Sequence, residues 1–341
     1  MNLPVFIGLT VIKILLILVV FLTLVAYTVL MERKVLGFIQ LRYGPNRVGP
    51  WGLLQPLADL VKLLFKEDFT PPMVNKVLFV LAPLVTAITA FLPFAVIPFA
   101  RDILPPQLTI YGQTFDLTVA GLNQGVIADI NVGLLYVFAM GSLAVYGAVL
   151  GGWASNSKYS LLGGLRLSAQ MVSYELALGL SVIGVLMLAG SLSLVKIVEA
   201  QQNMWFIAYQ PLGFALFMIA AFAECARTPF DLIECENELV AGYQTEYSSM
   251  KWALFMMGEY AHIIVASALA TTLFLGGWQG PILPPIVWFM GKTFALVFFF
   301  IWVRGTFPRF RFDQLMYLGW KVMLPLALVN IMVTGAVMLV L

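Results

Sequence analysis

The sequence predicts an all-α protein, a polytopic bundle of about eight transmembrane helices. Three observations predict it. The 341 residues are 61% hydrophobic and only 11% charged, against roughly 25% charged in a soluble domain. Apolar runs long enough to cross a bilayer, ~20 residues each, recur along the whole length. Lysine and arginine fall on alternate connections between those runs, the pattern of a multi-pass membrane protein. One membrane domain over 1–341 accounts for the chain.

The expected spans are 5–31, 77–99, 126–149, 168–190, 207–226, 251–275, 285–303 and 321–341. The first is too long for a signal-peptide core and lacks a cleavage pattern, so it reads as the first membrane helix. All but four of the 19 Lys and Arg lie on the connections 32–76, 150–167, 227–250 and 304–320, or at their flanks Lys251 and Lys321. The opposite side has only Arg101 and Lys196, while Lys13 and Lys292 lie inside or beside spans. Both termini are therefore expected outside and the cationic connections inside.

Composition also removes function classes. A net charge of +2 without a basic run gives no case for nucleic acid. The only cysteines, Cys225 and Cys235, and the single histidine, His262, are too few for an iron–sulfur cluster or a Cys/His zinc site within the chain. The two thiols read as small buried residues. No G-x-G-x-x-G or G-x-x-x-x-G-K-[ST] motif is present, which argues against a nucleotide site.

The inner connections carry the chemistry. Over 53–65, Leu53, Leu54, Leu57, Leu60, Val61, Leu64 and Phe65 recur at helical spacing opposite Gln55, Asp59 and Lys62. That stretch is too short to span and suits an amphipathic helix in the membrane interface. RYGPNRVGPWG before it is a Gly/Pro-rich turn holding Arg42 and Arg47, which suits a polar head group arriving from lipid and would suit a lipid phosphate equally. Residues 224–247 concentrate Glu224, Asp231, Glu234, Glu236, Glu238 and Glu246 against one cation, Arg227. Thr228-Pro229-Phe230-Asp231 has the form of a helix start, with Thr228 as cap, Pro229 at the first position and Asp231 reaching back, and Gly242 as its stop. On such a helix Asp231, Glu234 and Glu238 share a face. A capping role for Asp231 and a solvated face for the glutamates explain them without function.

Glu175 and Glu259 lie about nine and eight residues inward from Arg166 and Lys251, on the order of 12–14 Å into the membrane at ~1.5 Å per residue. Glu224 lies near the inner end of the fifth span. Ionisable groups at membrane depth are costly and mark ion or proton paths, and neighbouring buried carboxylates titrate as a coupled set. The bland alternative is a glutamate hydrogen-bonded to Tyr or Ser on a neighbouring helix; the matched depth of two such residues favours a path. Asp129 reads as an interfacial acid, Gly147 and Gly151 as a helix-packing pair. His262, one turn from Glu259, could relay a proton, but a hydrogen-bonded packing role is the simpler reading. Two readings stand on the residues alone: a stand-alone cation or proton transporter, and the membrane component of a redox-driven pump.

A resemblance separates them. The run ERKVLGFIQLRYGPNRVGPWGLLQPLADLVKLLFKED over 32–68 closely resembles the membrane-arm H-subunit family of bacterial NADH:quinone oxidoreductase, respiratory complex I, whose mitochondrial counterpart is subunit 1. GWASNSKYSLLGGLRLSAQMVSYE (152–175), AECARTPFDLIECENELVAGYQTEY (223–247), GEYAHII (258–264) and RGTFPRFRFDQLMYLGWK (304–321) resemble the same family, in order and on every inner connection. The resemblance implies a subunit at the junction of a hydrophilic electron-transfer arm with antiporter-like and small membrane subunits. The inner loops 32–76 and 224–250 would shape a quinone chamber, with quinone entering near the first and sixth helices and the interfacial helix. No cofactor is implied for this chain; quinone is the substrate, and NADH, FMN and iron–sulfur clusters belong to partner subunits.

By the same resemblance Glu32, Arg33, Arg42, Arg47, Asp59 and Phe230 match chamber positions. Glu224, Asp231, Glu234, Glu236 and Glu238 match the acidic loop beneath it, and Glu175 and Glu259 match glutamates leading charge toward the pumping subunits. The family commonly has Pro at Ile233, a small residue at Cys235 and Asn at His262. A related subunit of energy-converting hydrogenases remains an alternative. The expected location is a bacterial inner membrane, with the mitochondrial inner membrane as the alternative.

Overall fold

The computed structural model describes residues 3–101, 107–110, 113–116, 124–232 and 239–340. The described residues are helical apart from one antiparallel hairpin, Gln107–Ile110 with Gln113–Asp116, in the connection between the second and third long helices. In chain order the helices are α1 (Leu3–Ile39), α2 (Gln55–Phe65), α3 (Lys76–Phe91), α4 (Gly133–Ala154), α5 (Lys158–Ala189), α6 (Leu194–Glu199), α7 (Phe206–Tyr209), α8 (Pro211–Glu224), α9 (Ser249–Phe274), α10 (Pro285–Thr306) and α11 (Phe312–Val340). Among the described residues seven are long and apolar enough to cross a membrane: α1, α3, α4, α5, α9, α10 and α11.

The fifth expected span differs. It is α8 alone, 14 residues long, or about 21 Å at 1.5 Å per residue, shorter than the ~30 Å hydrocarbon core. Pro211 sets its start: a proline disfavours the helical conformation in the residue before it, and Gln210 adopts φ −129°, ψ 53°. The buried Gln210 amide is taken up elsewhere, donating to Thr334 Oγ1 (2.7 Å) and accepting from Asn330 Nδ2 (2.8 Å) on α11.

Other boundaries move for identifiable reasons. Helix α1 continues eight residues past the expected end at 31 because its inner end packs into the bundle, where Glu32 is buried. Helix α5 begins ten residues early at Lys158. The 150–167 connection is thereby reduced to a turn at Ser155–Ser157, with α4 and α5 packed together beyond it. Helix α4 starts seven residues late, since the backbone of 125–128 bonds laterally instead: Gly125 N donates to Ala100 O (3.0 Å) and Ala128 N to Ala95 O (2.9 Å). Helix α11 starts at Phe312 and passes through one π-helical turn at Leu318–Met323.

Helix α9 is the centre of the bundle, buried along most of its length, whereas α1 is exposed along most of its own. Around it α3 packs on α4, α4 on α5, and α5 on α8 and α11. Stacked rings join the layers, Phe21 on Phe94 at 3.7 Å and Phe222 on Phe300 at 4.0 Å. Helix α2 has no buried residue and leaves Leu57, Leu60, Val61 and Leu64 about half exposed, as an interfacial amphipathic helix must. It is fastened to α9 by Ser249 Oγ donating to Leu63 O (2.9 Å) and by the Lys251–Asp68 ion pair just beyond it (3.0 Å). In the turn before it, Gly52 at φ 75° lies directly on the Pro45 carbonyl, where a side chain has no room.

Gly147 lets α4 meet α3. A Cβ there would lie 3.0 Å from the Thr86 backbone nitrogen and 3.1 Å from the Ala82 carbonyl. Replacing Gly147→Leu should therefore pry α3 from α4 and destabilise the bundle by about 1–3 kcal/mol or more, as overpacking does. Thermal unfolding in detergent checks this; an unchanged melting temperature would contradict the close contact.

Candidate functional site

The site forms where α8 ends and the chain turns beneath the bundle. Between Glu224 and Leu232 the backbone does not restart a helix. Ala226 is left-handed at φ 51°, the Thr228–Pro229 peptide is cis, and Phe230 N donates to Arg227 O (2.8 Å) in a tight turn. The expected helix start at Thr228–Asp231 is thus a turn, for Asp231 does not cap. Its Oδ2 instead accepts from Arg309 Nη2 at 3.1 Å. Gln170 on α5 holds the turn in place, its buried Nε2 donating to Ala223 O (2.7 Å) and Phe230 O (3.0 Å). Glu234, Glu236 and Glu238 lie outside the described residues, so the expected shared face with Asp231 does too.

The turn delivers Arg227 into the interior, where its side chain is 5% exposed. Nε lies 2.9 Å from Glu259 Oε1 on α9 and Nη1 3.6 Å from Glu32 Oε1 on α1. The guanidinium also stands over the Tyr260 ring at 4.5 Å, a cation–π contact. Burial alone would weaken the charge, but Glu259, Tyr260 and Glu32 outweigh it and hold the guanidinium above its ordinary pKa. Glu32 is shared: Arg304 of α10 donates to the same oxygen. Glu32, Arg227, Glu259 and Arg304 are therefore one continuous charge network joining three helices through a loop.

Further into the bundle Glu175 accepts from Ser142 Oγ on α4 and lies close enough to Glu224 for the two to feel each other's charge. A serine on a neighbouring helix is the bland arrangement foreseen for such a glutamate. A hydrogen-bonded carboxyl serves a proton path as well, so Ser142 decides nothing by itself. Glu224 makes no ion pair among the described residues.

The expected chamber residues do not all gather here. Phe230 is buried, tilted against Tyr174 (5.6 Å) and Phe310 (5.5 Å), and Tyr174 OH donates to Leu315 O (2.8 Å). Arg33 pairs with Asp59 at 2.6 Å, joining α1 to α2 on the exposed side. Arg42 and Arg47 are exposed on the loop, Arg42 Nε donating to Gln40 Oε1 (2.7 Å). A separate cavity of about 390 Å³ lies between α1, α9 and α10, lined by apolar groups such as Leu16, Val20, Ile264 and Phe289 with Lys13 at its edge, and it touches none of these residues.

Sequence reasoning missed Arg227, Arg304, Arg309, Gln170 and Ser142. The signal for Arg227 was present, a lone cation in an acidic stretch. Arg304 and Arg309 registered only as orientation charges.

Comparison with known proteins follows the same residues. A family model described as NADH dehydrogenase matches residues 12–335. A relative in Geobacter metallireducens, named as an H subunit of NADH-quinone oxidoreductase, is 60% identical over 327 residues, 96% of this chain and 95% of its own. An H subunit of NADH-quinone oxidoreductase in Geobacter sulfurreducens is also 60% identical, over 96% and 95%. The like-named protein of Syntrophotalea carbinolica is 56% identical, over 96% of each chain.

Removing Arg227 takes from Glu259 the guanidinium beside it and leaves Glu32 with Arg304 alone. Arg227→Met should destabilise the protein by about 3–5 kcal/mol, the usual result of breaking a buried pair from one side. Adding Glu259→Gln to that variant should recover part of the loss, because the carboxylate that lost its guanidinium no longer carries charge. A double-mutant cycle on thermal unfolding measures it, and strict additivity would refute the pairing.

Proposed function

The chain belongs to the NADH dehydrogenase family, and from that premise we propose that it forms the quinone-access chamber of a proton-translocating NADH:quinone oxidoreductase and couples quinone reduction to pumping. The observation that carries this reading is the buried network Glu32–Arg227–Glu259 with Glu224 and Glu175 beyond it. An isolated structural ion pair needs two groups. Here four helices and a loop contribute charges that continue from the inner loop into the membrane interior, where unrewarded charge is expensive.

Electrons reach the quinone from iron–sulfur clusters, flavin and NADH in hydrophilic partner subunits, and this chain binds none of those groups. Quinone takes two electrons and two protons to become quinol. Each electron that arrives before its proton places negative charge near the Asp231 turn. Asp231 is held by Arg309 and Glu259 by Arg227, so an incoming anion competes with these carboxylates for the same cations. A carboxylate that loses its cation gains proton affinity. Protonation then shifts along Glu224, Glu175 and Glu259 toward the antiporter-like subunits, Glu234, Glu236 and Glu238 serving with Asp231 as the acidic loop. Glu32, Arg33, Arg42, Arg47, Asp59 and Phe230 border the entrance. In this reading both termini lie outside and the network lies on the inner side of a bacterial membrane, as the distribution of Lys and Arg favours.

Glu175→Gln and Glu259→Gln keep shape while removing a titrating proton. Either should lower quinone-coupled proton pumping by about 10²-fold, the lower end of what a positioned proton-transfer group contributes, in a complex that still assembles. Proton uptake by inverted membrane vesicles is the measurement. Normal pumping in both variants would sink the path.

A further inference from the structure

We infer that His262 is a proton-holding group of this site, facing Glu224 across a water-sized cavity; the inference rests on the proposed path and adds a residue to it. The cavity is about 30 Å³ and lies in the centre of the bundle. Its wall includes Gly141 of α4, Leu178 of α5, Glu224 and Cys225 at the end of α8, and His262 and Val265 of α9. A site needs on the order of 10–15 Å³ to hold one water and at least two polar partners. This one has room for one or two and offers a carboxyl and an imidazole.

The imidazole is otherwise unexplained. His262 Nε2 is buried and has no hydrogen-bond partner in the protein, whereas a packing role would require one, since buried polar atoms are almost always satisfied. The hydrogen-bonded packing reading of the sequence therefore lacks its partner at this nitrogen. Gly141 matters for the same reason: a Cβ there would stand 2.9 Å from Glu224 Oε1, so the glycine leaves the space that the carboxyl opens into. Water between Glu224 and Nε2 satisfies both at once.

The step is a plain proton transfer. The Glu224 carboxyl O–H breaks, the proton crosses the water, and an N–H forms at the Nε2 lone pair. Carboxyl and imidazole become carboxylate and imidazolium, an ion pair in place of a neutral pair, and the reverse transfer returns the proton. No electron moves. Imidazole is the side chain whose ordinary pKa lies nearest neutrality, and nearby negative charge stabilises its charged form.

Those charges are countable. Glu224 and Cys225 share the cavity from α8. Glu259 and Tyr260 precede His262 on α9, with Arg227 against both and Glu32 of α1 on Arg227. Glu175 of α5 stands by Glu224. The lining residues Val137, Phe138 and Gly141 of α4, and Pro93 in the turn that follows α3, bring no titratable group. Loss of negative charge at Glu175 or Glu259 thus raises the cost of the imidazolium, and gain lowers it.

The test uses the assembled complex in membrane vesicles, with His262→Asn, which binds water but does not titrate, and His262→Phe, which does neither. Quinone reduction and proton pumping are measured from pH 6 to 8, about the range over which an ordinary histidine titrates. His262→Phe should lower pumping by about tenfold, less than the ~10²-fold of a sole acid–base group, because Glu224 and the carboxylates remain. His262→Asn should restore part of the rate yet lack the inflection with pH expected of the native complex. If His262→Asn keeps both the native rate and the native pH profile, the inference is overturned; should His262→Phe fail to assemble, this variant still decides. Loss of pumping in Glu175→Gln with native behaviour in His262→Asn removes the histidine alone, whereas native pumping in Glu175→Gln removes the path beneath it.

Discussion

Everything at the inner end of this bundle is arranged around one buried guanidinium. Taking a charge out of water costs several kcal/mol unless close partners replace the solvent. Arg227 has three such partners, Glu259, Glu32 and the face of Tyr260. Each of them comes from a different place in the chain than the turn itself, so satisfying one side chain fixes α1, α9 and the exit of α8 together. Gln170 meets the turn from a fourth helix, through two backbone carbonyls rather than through charge. The left-handed backbone at Ala226 belongs to the same solution, since a residue there must change the chain's direction for Arg227 to enter the interior.

The carboxylates differ in how they are held. Glu259, Glu32 and Asp231 each face an arginine, Glu175 faces a hydroxyl, and Glu224 has a neighbouring carboxylate and a small cavity. Compensation of negative charge is therefore strongest at the arginine-facing carboxylates and weakest at Glu224.

Much of the fold was legible because a bilayer permits few answers. Apolar runs longer than ~17 residues must be helices in lipid, where no water can satisfy a free backbone, and seven of the expected spans appear as such. Their ends were less legible. Nothing local in KYSLLGGLRL says that α5 begins before the membrane does, because polar helix outside a bilayer and polar loop have similar composition. The break at Gln210 could have been read from Pro211. In the site, Glu175, Glu224 and Glu259 stood out because charge in an apolar run is conspicuous. Arg304 and Arg309 did not, as cations on an inner loop are expected for orientation alone. Pairing between Glu32 and Arg304, 272 residues apart, is a tertiary fact with no local signature.

Helix α1 is anchored at two points. Lys13 donates to the Val126 carbonyl at 2.6 Å, and Glu32 meets Arg227 and Arg304. Nineteen residues separate them, about 28 Å of helix at 1.5 Å per residue, close to the ~30 Å hydrocarbon thickness. A helix so fastened has no freedom to slide along the membrane normal. When the bilayer thins or thickens, the mismatch is met by tilt, and tilting α1 about its Lys13 end swings the Glu32 carboxylate relative to the guanidinium it neutralises. A change of lipid thickness met by tilt would thus reach Arg227 through a helix held near both ends, rather than through any group at the membrane surface.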